Sequence, residues 1–222
     1  MSMKLKHFLV CASMALFCVL SALTSCGSKS PDEKGTAEED SVPMCSCPHA
    51  VICIQPYGNY TKQEASRLLP VLEENFGKWM YGGWQFKVLE PKPLPEEAYV
   101  KERDRYRAGA ILQELSKNPK KVDGMDAVYI GIAHKDICTD IHNTKNYGIM
   151  GLSYCPGNVC VVSDHRIKTK SMVWKLMLHE FCHAFYGAKH CPNDDPKCFM
   201  KDAKGKGNIE VQDRLCNSCN KQ

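Results

Sequence analysis

Residues 179–183 read His179-Glu180-Phe181-Cys182-His183, and this is where the chain could do chemistry. On a helix, residues i and i+4 stack on one face, so the imidazoles of His179 and His183 can reach one metal ion. Glu180, beside the first histidine, can then take a proton from a water held at that ion, the hydrolytic core of a zinc peptidase. Gly187 offers the positive φ that turns a chain off a helix end, and His190 follows it in the next loop. There His190 could complete three nitrogen ligands and leave the fourth position for water. Its alternative reading is a solvated loop histidine.

Four cysteines follow: Cys191, Cys198, and Cys216 with Cys219 in a terminal C-x-x-C. Thiols grouped in this way suit a tetrahedral zinc ion, although two disulfides could use the same residues. Met200 reads either as core filling or as a turn residue. Taken together, H-E-x-x-H, Gly187, His190-Cys191, Cys198-x-Met200 and the C-x-x-C resemble the archaemetzincin family of metzincin-clan metallopeptidases. The resemblance implies that His179, His183 and His190 hold a catalytic zinc and that Glu180 is the general base. It implies a structural zinc on Cys191, Cys198, Cys216 and Cys219, hence two Zn2+ per chain, with Met200 making the Met-turn beneath the catalytic site. The activity implied is peptide hydrolysis, restricted in substrate and aminopeptidase-like.

The chain departs from the family spacing in three places. Cys191 to Cys198 is longer than usual and Met200 to Cys216 is shorter, both in loops that tolerate such changes. The third departure lies on the helix. Metzincins carry H-E-x-x-H-x-x-G-x-x-H, whereas here three residues separate His183 from Gly187. An added helical residue rotates the downstream chain by about 100°. A bulge or an early unwinding must absorb it if His190 is to reach the metal.

The N-terminal segment reads as a targeting signal. Lys4 and Lys6 precede an apolar run from Phe8 to Leu23, which closes on Leu23-Thr24-Ser25-Cys26. A charged start, a short apolar stretch and small residues before a cysteine make residues 1–25 a lipoprotein signal peptide. The rival reading, a transmembrane helix, is opposed by the short run, its interruption by Ser and Cys, and the polar tail. Processing would leave Cys26 as the lipidated N-terminus, and several acyl chains anchor stably where one is marginal. Residues 26–48 are acidic, bury little and read as a flexible linker. The enzyme domain, residues 49–222, is thus expected in the bacterial cell envelope, tethered to a membrane and periplasm-facing or surface-exposed.

The elements that must position the site follow from periodicity. Val51 to Gln55 reads as a first strand ending at Pro56. Thr61 and Glu64 form a capping box that opens a helix running to about Phe76. Trp84 to Leu89 alternates as a strand, and Pro91, Pro93 and Pro95 make an extended linker. Glu97 to Leu115 has helical period through Tyr99, Tyr106, Ala110, Ile111 and Leu115. Asp126 to Ile132, Gly148 to Tyr154 and Val159 to Val162 read as further strands, the last either an edge strand beside the cleft or an ordinary one. Met172 to Tyr186 is the active-site helix. The fold class is α+β: a metzincin-like single domain, with a twisted mixed sheet, packed helices, an active-site helix and a small Cys-rich C-terminal zinc-binding region.

Composition narrows the function. The formal charge of +4 falls to +2 once Lys4 and Lys6 leave with the signal. Without a basic stripe, stacking aromatics or a phosphate-cradling loop, nucleic acid is not an expected partner. The expected partners are a peptide or protein substrate and the membrane, for a monomeric protein. Outside the zinc set lie Cys45, Cys47, Cys53, Cys138, Cys155, Cys160 and Cys182, an odd number that cannot all pair. Cys182 reads as a buried free thiol. His134, His142 and His165 read as solvated loop residues, with His165 the reserve ligand. The rival function is a non-catalytic zinc-containing envelope lipoprotein that binds peptides; the extra helical residue favours it and the retained Glu180 opposes it. A redox role for the C-x-x-C is disfavoured by its place at the chain end.

Overall fold

The structure, a computed structural model, describes residues 50–80, 82–203 and 209–220. The signal segment, Cys26, the linker, Cys45 and Cys47 lie outside the described residues. The chain runs β1 (Ala50–Tyr57), α1 (Lys62–Ser66), α2 (Leu69–Trp79), β2 (Trp84–Val88), β3 (Tyr99–Val100), β4 (Arg105–Arg107) and α3 (Ala108–Leu115). It continues through β5 (Lys121–Val122), β6 (Met125–Ala133), β7 (Ile137–Ile141), β8 (Thr144–Ile149), β9 (Gly151–Ser153), β10 (Val159–Ser163) and α4 (Val173–Tyr186).

The main sheet has the order β2-β1-β6-β10-β9, with β5 pairing on β6. β1 runs parallel to β2 and β6, β10 runs parallel to β6, and β9 is antiparallel to β10. Strands covered on both faces should be continuously apolar, and β1 and β10 are buried at every residue. Period-2 alternation divides their side chains between two cores. Ile52, Ile54, Ile130 and Val162 face a core shared with Leu72 and Phe76 of α2 and Leu178 and Phe181 of α4. Val51, Cys53, Tyr57, Tyr129 and Val161 face a second core with Ile111, Leu112 and Leu115 of α3. A small second sheet, β3-β4-β7-β8, adjoins this architecture. This is the mixed-sheet α+β fold that the sequence implies.

Four elements differ from the sequence reading. The helix opened by the Thr61 capping box stops at Ser66 and restarts at Leu69, because Pro70 would clash with the Ser66 carbonyl and has no N–H to bond it. Only the last eight residues of the expected helix over Glu97 to Leu115 are α-helical, with short 3-10 turns at Glu96–Ala98 and Lys101–Arg103 before them. In the same stretch, Tyr99 and Tyr106 pair across β3 and β4, turned by Asp104 at φ 47. The expected strand over Gly148 to Tyr154 is divided, its start in β8 of the second sheet and its end in β9 of the main sheet. Finally, Val159 to Val162 is not an edge: β10 lies between β6 and β9, and β9 is the edge.

Candidate metal centre and active site

α4 carries the H-E-x-x-H residues on a helix that is buried along most of its length. His179 and His183 lie on one face, with ring centroids 4.6 Å apart. Gly187 ends the helix at φ 64, and its N–H bonds the carbonyl of Cys182, five residues back rather than four. Ala188 N–H reaches the same carbonyl at 3.1 Å, so the helix closes in a widened, π-type turn. This widened last turn takes up the extra residue before Gly187. It leaves the His190 ring 4.7 Å from His183 and 5.4 Å from His179, measured between centroids. One ligand atom from each of the three histidines lies within 4.8 Å of the others.

The tautomers follow from hydrogen bonding. His179 Nδ1 donates to the Phe199 carbonyl at 2.7 Å, and His183 Nδ1 donates to the Ala188 carbonyl at 2.6 Å. A carbonyl can only accept, so each Nδ1 carries the proton and each Nε2 presents a lone pair. Burial keeps both rings neutral, pushing His179 down to about 3 and lowering His183 as well. The two Nε2 atoms sit 3.1 Å apart. Two bare lone pairs at that distance repel unless a cation lies between them. Tetrahedral zinc, with bonds of about 2.0 Å to nitrogen, holds two ligand nitrogens about 3.3 Å apart. The donor set therefore fits zinc.

Glu180 sits beside this cluster and is 6% exposed. Burial pushes its carboxyl up to about 8, against a hydrogen bond with the Ser153 side chain that favours the charged form. Gly151 provides the space. A Cβ built there would lie 2.4 Å from Glu180 Oε1. Both Gly151 and Ser153 belong to β9, so the carboxylate lies against the edge of the main sheet.

The four cysteines form a second cluster, with Sγ atoms within 4.8 Å of one another. Cys191 Sγ and Cys216 Sγ are 3.6 Å apart. That is close to the edge of about 3.8 Å expected for a tetrahedron with zinc–sulfur bonds of about 2.3 Å, and no cysteine among the described residues is in a disulfide. Although burial opposes it, the backbone N–H of Cys219 and neighbouring thiols draw Cys216 down to about 7, towards the thiolate form that binds metal. The clusters are linked through the backbone. Cys191 N–H donates to the Met200 carbonyl at 2.7 Å, Lys201 N–H to the Cys198 carbonyl at 3.0 Å, and Phe199 N–H to the Arg214 carbonyl at 2.7 Å. Met200 is 1% exposed on this turn, whose Phe199 carbonyl holds His179.

An archaemetzincin of Methanopyrus kandleri is 31% identical over 160 residues, spanning 69% of this chain and 83% of that protein. One from Haloarcula marismortui is 30% identical over 151 residues, spanning 61% and 80%. The crystal structure of the Methanopyrus kandleri archaemetzincin superposes with a TM-score of 0.63 at 25% identity, covering 78% of this chain and 92% of that one. The chain belongs to the archaemetzincin family. It is a zinc metallopeptidase of that family. The Archaeoglobus fulgidus archaemetzincin, crystallised with malonate, shares the fold with a TM-score of 0.58 at 23% identity, covering 77% and 98%. No protein-family model matches the chain.

The other described histidines stand outside the cluster. His134 stacks on Tyr60 with centroids 4.2 Å apart and pairs with Asp164 at 3.0 Å. His142 takes φ 49 in the turn between β7 and β8, and His165 is exposed in the loop after β10. Cys182 is a buried free thiol, 3.8 Å from Met80 Sδ. Sequence reasoning missed Gly151 and Ser153. The glycine was visible as part of an expected strand, but its need for space appears only once α4 is packed against β9.

Proposed function

We propose that this chain is a membrane-tethered, zinc-dependent peptidase with two zinc ions per chain. The observation that carries the reading is the convergence of two tautomer-locked Nε2 atoms and the His190 ring beside a buried carboxyl. In this reading His179, His183 and His190 hold the catalytic zinc, while Cys191, Cys198, Cys216 and Cys219 hold the structural one. Zinc at the three-His site supplies a Lewis acid and brings the pKa of its water towards neutrality. Glu180 accepts the proton of the attacking water and hands it to the leaving amine. Gly151 and Ser153 fix where that carboxylate stands. β9, the edge of the main sheet among the described residues and beside Glu180, is suited to receive an extended substrate by main-chain hydrogen bonds, the role the sequence suggested for β10. Met200 closes the turn below the site and keeps the Phe199 carbonyl on His179.

The tether rests on the lipobox ending at Cys26 and places the domain in the bacterial cell envelope, as a monomer on a flexible linker. The family resemblance adds an aminopeptidase-like preference, which peptides with free and acetylated N-termini would test. The deciding experiment is zinc per chain together with turnover of a peptide library by wild type and Glu180→Gln. Two zincs, with turnover abolished in the variant, are expected. A variant that turns over normally would remove Glu180 from the mechanism. Binding without turnover in the wild type would turn the reading to a non-catalytic peptide-binding lipoprotein.

A further inference from the structure

Each imidazole of the three-His cluster has an oxygen behind its Nδ1, but the third oxygen differs in kind. His179 and His183 use the backbone carbonyls of Phe199 and Ala188. His190 Nδ1 instead faces the carboxylate of Asp202, with Oδ2 at 3.9 Å. Asp202 is not among the residues whose ligand atoms converge, so it stands behind the cluster and not in it.

The position of Asp202 is built by the chain. His190 continues directly into Cys191, whose N–H is bonded to the Met200 carbonyl. Asp202 follows Met200 by two residues, so the bond that seats His190 also brings the carboxylate alongside its ring. The turn Cys198–Asp202 thus orients two of the three ligands, His179 through Phe199 O and His190 through Asp202. His190 has most need of such support. It is the one histidine of the set outside the helix, and its side chain is 48% exposed, so packing does little to fix its χ angles. A carboxylate at Nδ1–H fixes the ring's orientation and tautomer and makes Nε2 a more basic donor. At 3.9 Å the pair lies beyond hydrogen-bond range, so a small turn of the ring or the carboxylate must close it.

We propose that Asp202 is the positioning residue of His190: its carboxylate accepts the Nδ1–H and turns Nε2 onto the metal. The proposal rests on the three-His site holding zinc. The test is zinc affinity at that site in the full chain, measured by chelator competition for wild type, Asp202→Asn and Asp202→Glu, with cobalt-substituted protein examined in parallel. Asp202→Asn should weaken zinc about tenfold to a hundredfold at the three-His site and shift the d–d band of cobalt bound there. The thiolate–cobalt charge-transfer band of the four-Cys site should stay unchanged, which reports an intact fold. Asp202→Glu should recover most of the affinity, because it keeps the carboxylate. Asp202→Asn with zinc affinity within twofold of wild type and an unaltered cobalt band would overturn the proposal while leaving the peptidase reading in place. Wild-type protein with a filled four-Cys site and no zinc on the histidines would overturn both.

Discussion

The tightest contact in the site gives the sharpest prediction. A methyl group at Gly151 would meet Glu180 Oε1 at 2.4 Å, Cγ at 2.6 Å and Cδ at 2.7 Å. Unstrained contacts begin near 3.4 Å, so the carboxylate must retreat by about 1 Å. It can do so by rotating its own χ angles, since the clashing atoms belong to a side chain and not to backbone. The fold should therefore survive while the base is misplaced. A displacement of about 1 Å in a catalytic group costs about 10²-fold in rate, equivalent to about 2.7 kcal/mol in the barrier. Gly151→Ala should accordingly lower kcat/KM on a fluorogenic peptide by about a hundredfold. Zinc per chain should be unchanged, because the nearest atoms the methyl meets all belong to Glu180, and Tm should fall by a few degrees at most. Gly151→Ala retaining more than a third of wild-type kcat/KM would refute the reasoning, since Glu180 could then work from elsewhere or would not be the base.

Glu180→Gln keeps the volume and removes the proton acceptor; kcat should fall by about 10³-fold or more, with zinc content measured by elemental analysis unchanged. Cys216→Ser with Cys219→Ser should release one zinc per chain and lower Tm, because zinc bound to a structural site is folding energy; calorimetry alongside metal analysis checks it. Asp136 is bonded by Arg105 Nε at 2.7 Å and by Arg166 Nε and Nη2 at 2.7 and 2.6 Å. Burial would raise its carboxyl, but the two guanidiniums overcome this and hold it below the usual range. A depressed carboxylate contributes stability above its unfolded pKa and loses it as pH falls through the folded value. Asp136→Asn should therefore cost about 3 kcal/mol near neutrality and progressively less below about pH 4, as read from urea melts across pH.

Sequence reasoning reached the clustering of the histidines and cysteines more directly than the bounds of individual elements, and the reason is physical. Ligand spacing within one helix turn is a local property, so His179, Glu180 and His183 were legible from the pentapeptide. The capping box at Thr61 was legible for the same reason. The second sheet was not, because Tyr99 and Tyr106 satisfy a helical period as well as a cross-strand pair, and only the left-handed turn at Asp104 decides between them. β10 was mistaken for a possible edge because a short apolar run does not reveal how many neighbours it has. The fate of the extra residue before Gly187 could not be settled in advance either. Whether it rotates His190 away depends on one hydrogen bond, Gly187 N–H to the Cys182 carbonyl, and sequence spacing carries no sign of which carbonyl a helix-ending N–H will choose.

That bond also explains how the chain brings a loop histidine, the proposed third ligand, to the cluster. Zinc sites lose affinity when a ligand must be ordered at the moment of binding, since each mobile side chain costs entropy. His179 and His183 avoid this by riding on a buried helix. His190 gains the same advantage through the segment beyond it. Cys191 is fixed by Met200, Cys198 starts the turn that holds His179, and Phe199 is fixed by Arg214. Lys175 of α4, buried and bonded to the carbonyls of Glu210 and Gln212, fastens the same C-terminal segment to the active-site helix. On the proposed two-zinc reading, the four-Cys site would stabilise the frame in which the three-His site is preorganised, and the two metals should bind with positive coupling. Removing the thiolate site would then weaken zinc on histidines that it never touches, and equal zinc affinity at the three-His site with and without Cys216 and Cys219 would show that the frame holds by itself.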